Sequence, residues 1–218
     1  MKELVFLLEE ASAKAMLDGV LPRMLDGQIQ TRLIVFEGKQ DLEKQLVKRM
    51  RGYVNPSARF IVMRDQDSTP DCKVVKAKLL GLCEHAGRKS VSLVRLACRE
   101  LESFYLADLH AVEVALKISG LARHQNKEKY RASDLVHSPS LEMARLTSNA
   151  YQKVSGSRQI GPHLEIDNRR SDSFRNLIAG IRRLEQELLA LPQSPRHDLR
   201  ICGLCEILSG PKGTWLEE

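Results

Sequence analysis

Hydrophobic and polar positions alternate along this chain in blocks rather than singly. Phe60-Ile61-Val62-Met63 is a continuous apolar run, the signature of a strand buried on both faces as in a parallel sheet. Leu4-Val5-Phe6-Leu7-Leu8, Leu33-Ile34-Val35-Phe36 and Leu93-Val94-Arg95-Leu96-Ala97-Cys98 repeat the form. Between these runs the apolar residues fall at helical spacing. Leu17, Val20, Leu21 and Met24 make one stripe, which Pro22 should kink or end. Leu42, Leu46, Val47 and Met50 make a second, opposite a face of Lys44, Lys48, Arg49 and Arg51. Val75, Leu79, Leu82 and Ala86 make a third, stopped by Gly87, and Leu109, Val112 and Leu116 follow the last run. Ser12 is the N-cap expected for the first helix, and Thr69-Pro70 the cap and first position of the third. Strand and helix thus alternate four times, which predicts right-handed βαβ units and a mainly parallel sheet flanked by helices.

The pattern changes after Gly120. His124 to Arg131 reads as a polar, basic surface segment. Leu141 to Leu146 reads as a short helix. Tyr151 to Gly156, which carries Lys153, reads as a glycine-ended loop that could return to the strand ends and leads into a turn-rich stretch, Gly161-Pro162 to Arg170. Ser171 or Asp172 caps a last long helix whose stripe is Leu177, Ile181, Leu184, Leu188 and Leu191, expected to pack on its own domain. The division predicted is an α/β core over residues 1–120 and a mostly helical extension packed on it over 121–218.

Composition adds bounds. Of the 218 residues, 43% are hydrophobic and 28% charged, which fits a globular protein, and no apolar run reaches membrane-spanning length. Met1-Lys2-Glu3 leads into only five apolar residues, which is not the form of a secretion signal. Five cysteines, an odd and small number, fit a reduced cytoplasmic protein. The net charge of +6 permits a polyanionic partner without requiring one.

The candidate chemistry lies where the apolar runs stop. In an open parallel sheet the carboxyl ends of the strands share one edge, and ligands bind there. Glu9 and Glu10 follow the first run, Asp65 and Asp67 the third, Glu100 and Glu102 the fourth. If those strands are neighbours the acids converge. Like charges then raise one another's pKa, and a hard divalent cation, Mg²⁺ or Mn²⁺, is the simplest remedy. Such a site suits phosphoryl transfer. Each acid taken singly could instead cap a helix or pair at the surface.

Glu9-Glu10, the segment Glu37 to Glu43, Arg64-Asp65-Gln66-Asp67 and Arg99-Glu100-Leu101-Glu102-Ser103 resemble the Toprim-type fold. They most resemble the bacterial domain-of-unknown-function family 4276, as do Tyr151-Gln152-Lys153 with Gly156, and Ser173-Phe174. The resemblance covers the chain up to about Leu191. It implies a Toprim-like sheet with Glu9 or Glu10, Asp65 and Asp67 on Mg²⁺ (or Mn²⁺). Glu100 or Glu102 stands as the additional acid of the overcoming-lysogenization-defect (OLD) nuclease branch, and Lys153 as a lysine beside the metals. The activity implied is phosphodiester cleavage of DNA or RNA, by an effector of bacterial anti-phage defence. The chain has no Gly-x-x-x-x-Gly-Lys-Ser/Thr loop, so the ATPase that accompanies such effectors would be a separate partner. A homodimer is left open, and no membrane partner is expected.

Other signals are weaker. Cys202-Gly-Leu-Cys205 has zinc or redox spacing, but one pair is half a site and His197 is only an optional third ligand. The remaining histidines are scattered. Aromatic residues, at 5%, do not supply a stacking platform for single strands. Two other functions compete with the nuclease. A nucleotide-sugar transferase would use the Asp-x-Asp but leave Glu9, Glu10, Glu100 and Glu102 idle. A non-catalytic interaction module would bind its partner without the acids.

Overall fold

The computed structural model describes residues 1–192. Four strands, β1 (Glu3–Leu8), β2 (Gln30–Val35), β3 (Arg59–Asp65) and β4 (Ser92–Ala97), form one all-parallel sheet in the order β2-β1-β3-β4. The connections are α1 (Ala11–Val20), α2 (Lys39–Arg51) and α3 (Cys72–His85). After β4 come α4 (Glu102–Leu106), α5 (Leu109–Leu116), α6 (Glu128–Arg131), α7 (Pro139–Leu146), α8 (Lys153–Ile160) and α9 (Asp172–Ala190). This is the mixed α/β architecture, a parallel sheet flanked by helices, that the block pattern predicts.

Strand periodicity sorts the core into two layers. Leu4, Phe6 and Leu8 of β1, with Ile61 and Met63 of β3, join α1, α8 and α9 on one face. Val5 and Leu7, with Phe60 and Val62, join Leu42, Leu46 and Met50 of α2 and Val75 and Leu79 of α3 on the other. Residues beyond 120 share the first layer: Tyr130, Met143, Ile160, Phe174 and the α9 stripe Leu177, Ile181, Leu184 and Leu188 are all buried in it.

Several local expectations need correction. β2 is an edge strand. Gln30, Thr31 and Arg32 are exposed and Leu33 and Ile34 only half-buried, because one side of the strand has no neighbour in the sheet. Position Glu10, not Ser12, precedes α1, and the Ser12 hydroxyl donates to the Glu10 carboxylate instead. Asp71 caps α3, accepting from the Lys73 N–H at 2.8 Å, so Pro70 lies outside the helix. Residues His124 to Arg131 are not wholly surface: Tyr130 is buried and donates its hydroxyl to Glu142. The Tyr151–Gly156 stretch is not a loop, since α8 starts at Lys153 and Gly156 is a buried position within it. A Cβ on Gly156 would lie 2.5 Å from Tyr151 Cδ2, so the missing side chain is what lets the tyrosine ring lie against α8. The same device brings α8 onto α1: a Cβ on Gly161 would meet the Met16 carbonyl oxygen at 2.5 Å. Pro22 ends α1, sitting in a single 3₁₀ turn, Leu21–Arg23, and Ser171 caps α9 by accepting from the Phe174 N–H at 3.0 Å. Among the described residues no helix is long and apolar enough to cross a membrane.

Candidate active site

The ladder continues past the strand ends and ties down the acid-bearing loops. Glu9 N–H donates to the Met63 carbonyl at 3.1 Å, Gln66 N–H to Ala97 at 3.0 Å and Asp67 N–H to Arg99 at 2.8 Å. Because β1, β3 and β4 are adjacent, the three acid pairs start from one edge of the sheet. Their side chains then separate into three destinations.

The first holds Glu10, Asp65, Glu102 and Lys153. Asp65 is the last residue of β3 and is 8% exposed, and Glu102 opens α4 at 1%. Lys153, the first residue of α8, brings its Nζ to 2.6 Å from Glu10 Oε2. Burial, then the negative charges of Glu10, Glu102 and Glu9, hold the Asp65 carboxyl well above the usual carboxylate range, with Lys153 opposing. Burial also pushes up the carboxyl of Glu102, against its own backbone N–H, the Lys153 charge and the Tyr151 hydroxyl. Tyr151 donates that hydroxyl to Glu102 Oε1 at 2.9 Å, while Glu102 Oε2 is buried with no hydrogen-bond partner among the described residues. For Lys153, burial alone would lower the pKa, but the bond and charge of Glu10, with Glu102 and Asp65, raise it.

The second destination is an ion-pair network around Arg64, which is 6% exposed. Its guanidinium donates to Glu43 Oε1 at 2.8 Å, to Asp67 Oδ2 at 3.3 Å and to the Asp65 carbonyl at 3.0 Å, and lies 3.8 Å from Glu9 Oε2. Lys39 Nζ reaches Asp67 Oδ2 at 3.0 Å, and Lys78 reaches Glu43 at 2.6 Å. Asp67 thus turns to cations on α2 and β3, from a backbone with φ of 57°. Positive φ is uncommon for a non-glycine residue, and aspartate is among the types that tolerate it. Glu9 bridges the two groups: it accepts the Asp65 N–H at 2.9 Å, and burial raises its carboxyl while that bond and Arg64 pull it down.

The third destination is Glu100 alone. Its Oε2 accepts the Ser140 N–H at 2.7 Å in the first turn of α7, a helix-capping contact. Of the two acids after β4, Glu102 is the one whose charge acts on Asp65.

The donors of the first group are all carboxylate oxygens, the set that suits Mg²⁺ or Mn²⁺, and the unpartnered Glu102 Oε2 is an acceptor with capacity to spare. Among the described residues, no three His, Cys, Asp or Glu side chains are placed to hold an ion as they stand. Glu10 is occupied by Lys153. The donor chemistry therefore fits a divalent cation, on condition that Glu10 turns from the lysine.

The sequence reading missed Arg64 and Glu43 as organisers of the Asp65–Asp67 loop. A signal was present: an arginine between buried Met63 and Asp65 must find anionic partners. It also missed Tyr105, which is fully buried 5.8 Å from the Tyr151 ring, centroid to centroid. Cys202, Cys205 and His197 lie outside the described residues.

No known family model matches the chain, and no curated protein sequence matches it. The likeness to family 4276 therefore rests on the motifs alone. Among solved structures, the chain is similar to the C-terminal region of the Burkholderia pseudomallei OLD protein. That similarity is at 14% sequence identity and a TM-score of 0.48, covering 85% of this chain and 98% of the other.

Proposed function

We propose that the chain is a Toprim-type, divalent-metal-dependent phosphodiesterase that cleaves DNA or RNA. The observation that carries this reading is the placing of the buried carboxylates Asp65 and Glu102 and of the Glu10–Lys153 pair past the carboxyl ends of three adjacent strands. So costly a carboxylate cluster is what a site for phosphoryl transfer needs and what a structural core avoids. Glu10, Asp65 and Glu102 would hold Mg²⁺ or Mn²⁺, with Glu9 and Asp67 behind them. When bound, the metal would lower the pKa of a water and stabilise the leaving oxygen. Tyr151 fixes the orientation of Glu102. Arg64 fixes the loop that carries Asp65. Lys153 supplies a mobile positive charge for the phosphate in the transition state. The net charge of +6 favours a polyanionic substrate.

A separate ATPase partner, a role in anti-phage defence and a cytoplasmic location belong to the same proposal and rest on the motif resemblance. The transferase alternative is disfavoured because it leaves the buried Glu102 and the Glu10–Lys153 pair without a role.

The test is incubation of the purified chain with supercoiled plasmid and with transfer RNA in Mg²⁺, Mn²⁺ or EDTA. Metal-dependent nicking or cleavage, abolished by Asp65→Asn, is expected. Absence of cleavage of either substrate, alone and with the ATPase supplied, would leave the interaction-module reading in its place.

A further inference from the structure

We infer that Lys153 is the internal counter-ion of the acid cluster in the metal-free protein, and that it yields Glu10 when a divalent cation enters. The inference deepens the metal-dependent reading above and rests on it.

Asp65 and Glu102, past the ends of adjacent strands, are almost fully buried, and Glu10 beyond β1 is held by Lys153 at 2.6 Å. Charges so placed need a cation. Among the described residues, Lys153 is the only Lys or Arg that makes an ion pair with any of these three. Arg64 and Lys39 are committed to Glu43 and Asp67, with Arg64 also near Glu9. The lysine therefore stands against Glu10, one of the donors a divalent ion would use.

Its setting suits a removable charge. The Lys153 side chain is 50% exposed, while its helix is held: Gly156 N–H donates to the Gln152 carbonyl at 2.6 Å, and Gly156 is locked under the Tyr151 ring. The side chain can swing with α8 fixed. A divalent ion and an ammonium cannot share Glu10 without mutual repulsion, so binding of one displaces the other. Displacement leaves the lysine beside the metal and free for an incoming phosphate. The same residue would serve the resting state and the reaction in turn.

The experiment is calorimetric titration of the full chain with MnCl₂, for wild type, Lys153→Met and Lys153→Arg, together with melting temperatures in EDTA and in saturating Mn²⁺. Lys153→Met removes the competing charge while keeping the length of the side chain. Its Mn²⁺ Kd should fall by about twofold to fivefold, the range set by coupling of a half-exposed charge pair. Lys153→Arg should stay near the wild-type Kd. Lys153→Met should melt below wild type in EDTA, and Mn²⁺ should close that gap. A purely structural lysine would leave the gap open. Wild type that binds Mn²⁺ while Lys153→Met binds it equally or more weakly would overturn the counter-ion role and leave the metal site standing. A wild type that binds no Mn²⁺ would overturn both.

Discussion

Gly156→Ala tests whether the close seating of Tyr151 on α8 holds Glu102 in place. An added Cβ would lie 2.5 Å from Tyr151 Cδ2 and 2.7 Å from Cε2, well inside contact distance. The ring has little room to retreat, because Tyr151 is 8% exposed and packs against the ring of Tyr105. Two effects oppose each other. Alanine favours the helix over glycine by about 0.5–1 kcal/mol. Forcing the ring aside costs about 1–3 kcal/mol. Displacing the hydroxyl from the buried Glu102 carboxylate adds about 1.5–3 kcal/mol. The clash wins, and a net loss of about 1.5–5.5 kcal/mol is expected from these terms together. For a chain of this size that is a fall in Tm of roughly 3–20 °C. Gly81→Ala, in the middle of α3 with nothing within 4 Å of its Cβ, is the control and should gain about 0.5–1 kcal/mol. Urea unfolding of both variants at neutral pH measures the contrast. A Gly156→Ala protein as stable as wild type, or a shift matching that of Gly81→Ala, would refute the packing argument and with it the positioning of Glu102 by Tyr151.

Three further outcomes are expected. Asp65→Asn should abolish cleavage yet raise the melting temperature in EDTA, because it removes one charge from a crowded carboxylate cluster; a fall in Tm would mean the cluster is not repulsive. Glu100→Ala should cost about 1 kcal/mol through loss of its contact at the start of α7, and leave cleavage at the wild-type rate, which a nicking assay alongside urea unfolding reads directly. Glu142 governs acid stability: burial opposes its ionisation, but bonds from Arg145, Lys129 and Tyr130 outweigh that and hold its carboxyl down at about 2. Since the folded pKa lies below the unfolded one, the stabilisation is present above about pH 4.5 and lost as pH falls toward 2. It amounts to about 3 kcal/mol, a component that Glu142→Gln should lack when unfolding is followed across that pH range.

The sheet was legible because its inner strands, β1 and β3, are buried on both faces. Runs such as Phe60 to Met63 have no other easy reading, and β1, β3 and β4 each begin and end within a residue or two of the expected place. The edge position of β2 was not legible, since Leu33 to Phe36 is as apolar as its neighbours and strand order is not written in any one strand. Strand ends also fixed where the acids start. They did not fix where the acids point: Glu100 and Glu102 are two residues apart, yet one turns to α7 and the other toward Asp65, a choice made by the helix that begins at Glu102. The resemblance assigns Asp67 to the metal beside Asp65, and its pairing with Lys39 and Arg64 was not legible because those partners come from separate elements. Lys153 was placed near the strand ends on a loop, whereas a helix carries it there, since its glycine reads as a break until the Tyr151 ring above it is seen.

The central claim is that Glu10, Asp65 and Glu102 together hold a divalent cation. Electron paramagnetic resonance titration of Mn²⁺ into the wild type, Asp65→Asn, Glu102→Gln and Asp67→Asn tests it most directly. The account predicts saturable binding in the wild type, a loss of more than about tenfold in affinity for Asp65→Asn and Glu102→Gln, since loss of a group that merely orients a ligand already costs about tenfold, and a smaller loss for Asp67→Asn. Binding in Asp65→Asn and Glu102→Gln indistinguishable from wild type, or no binding in the wild type, would contradict it.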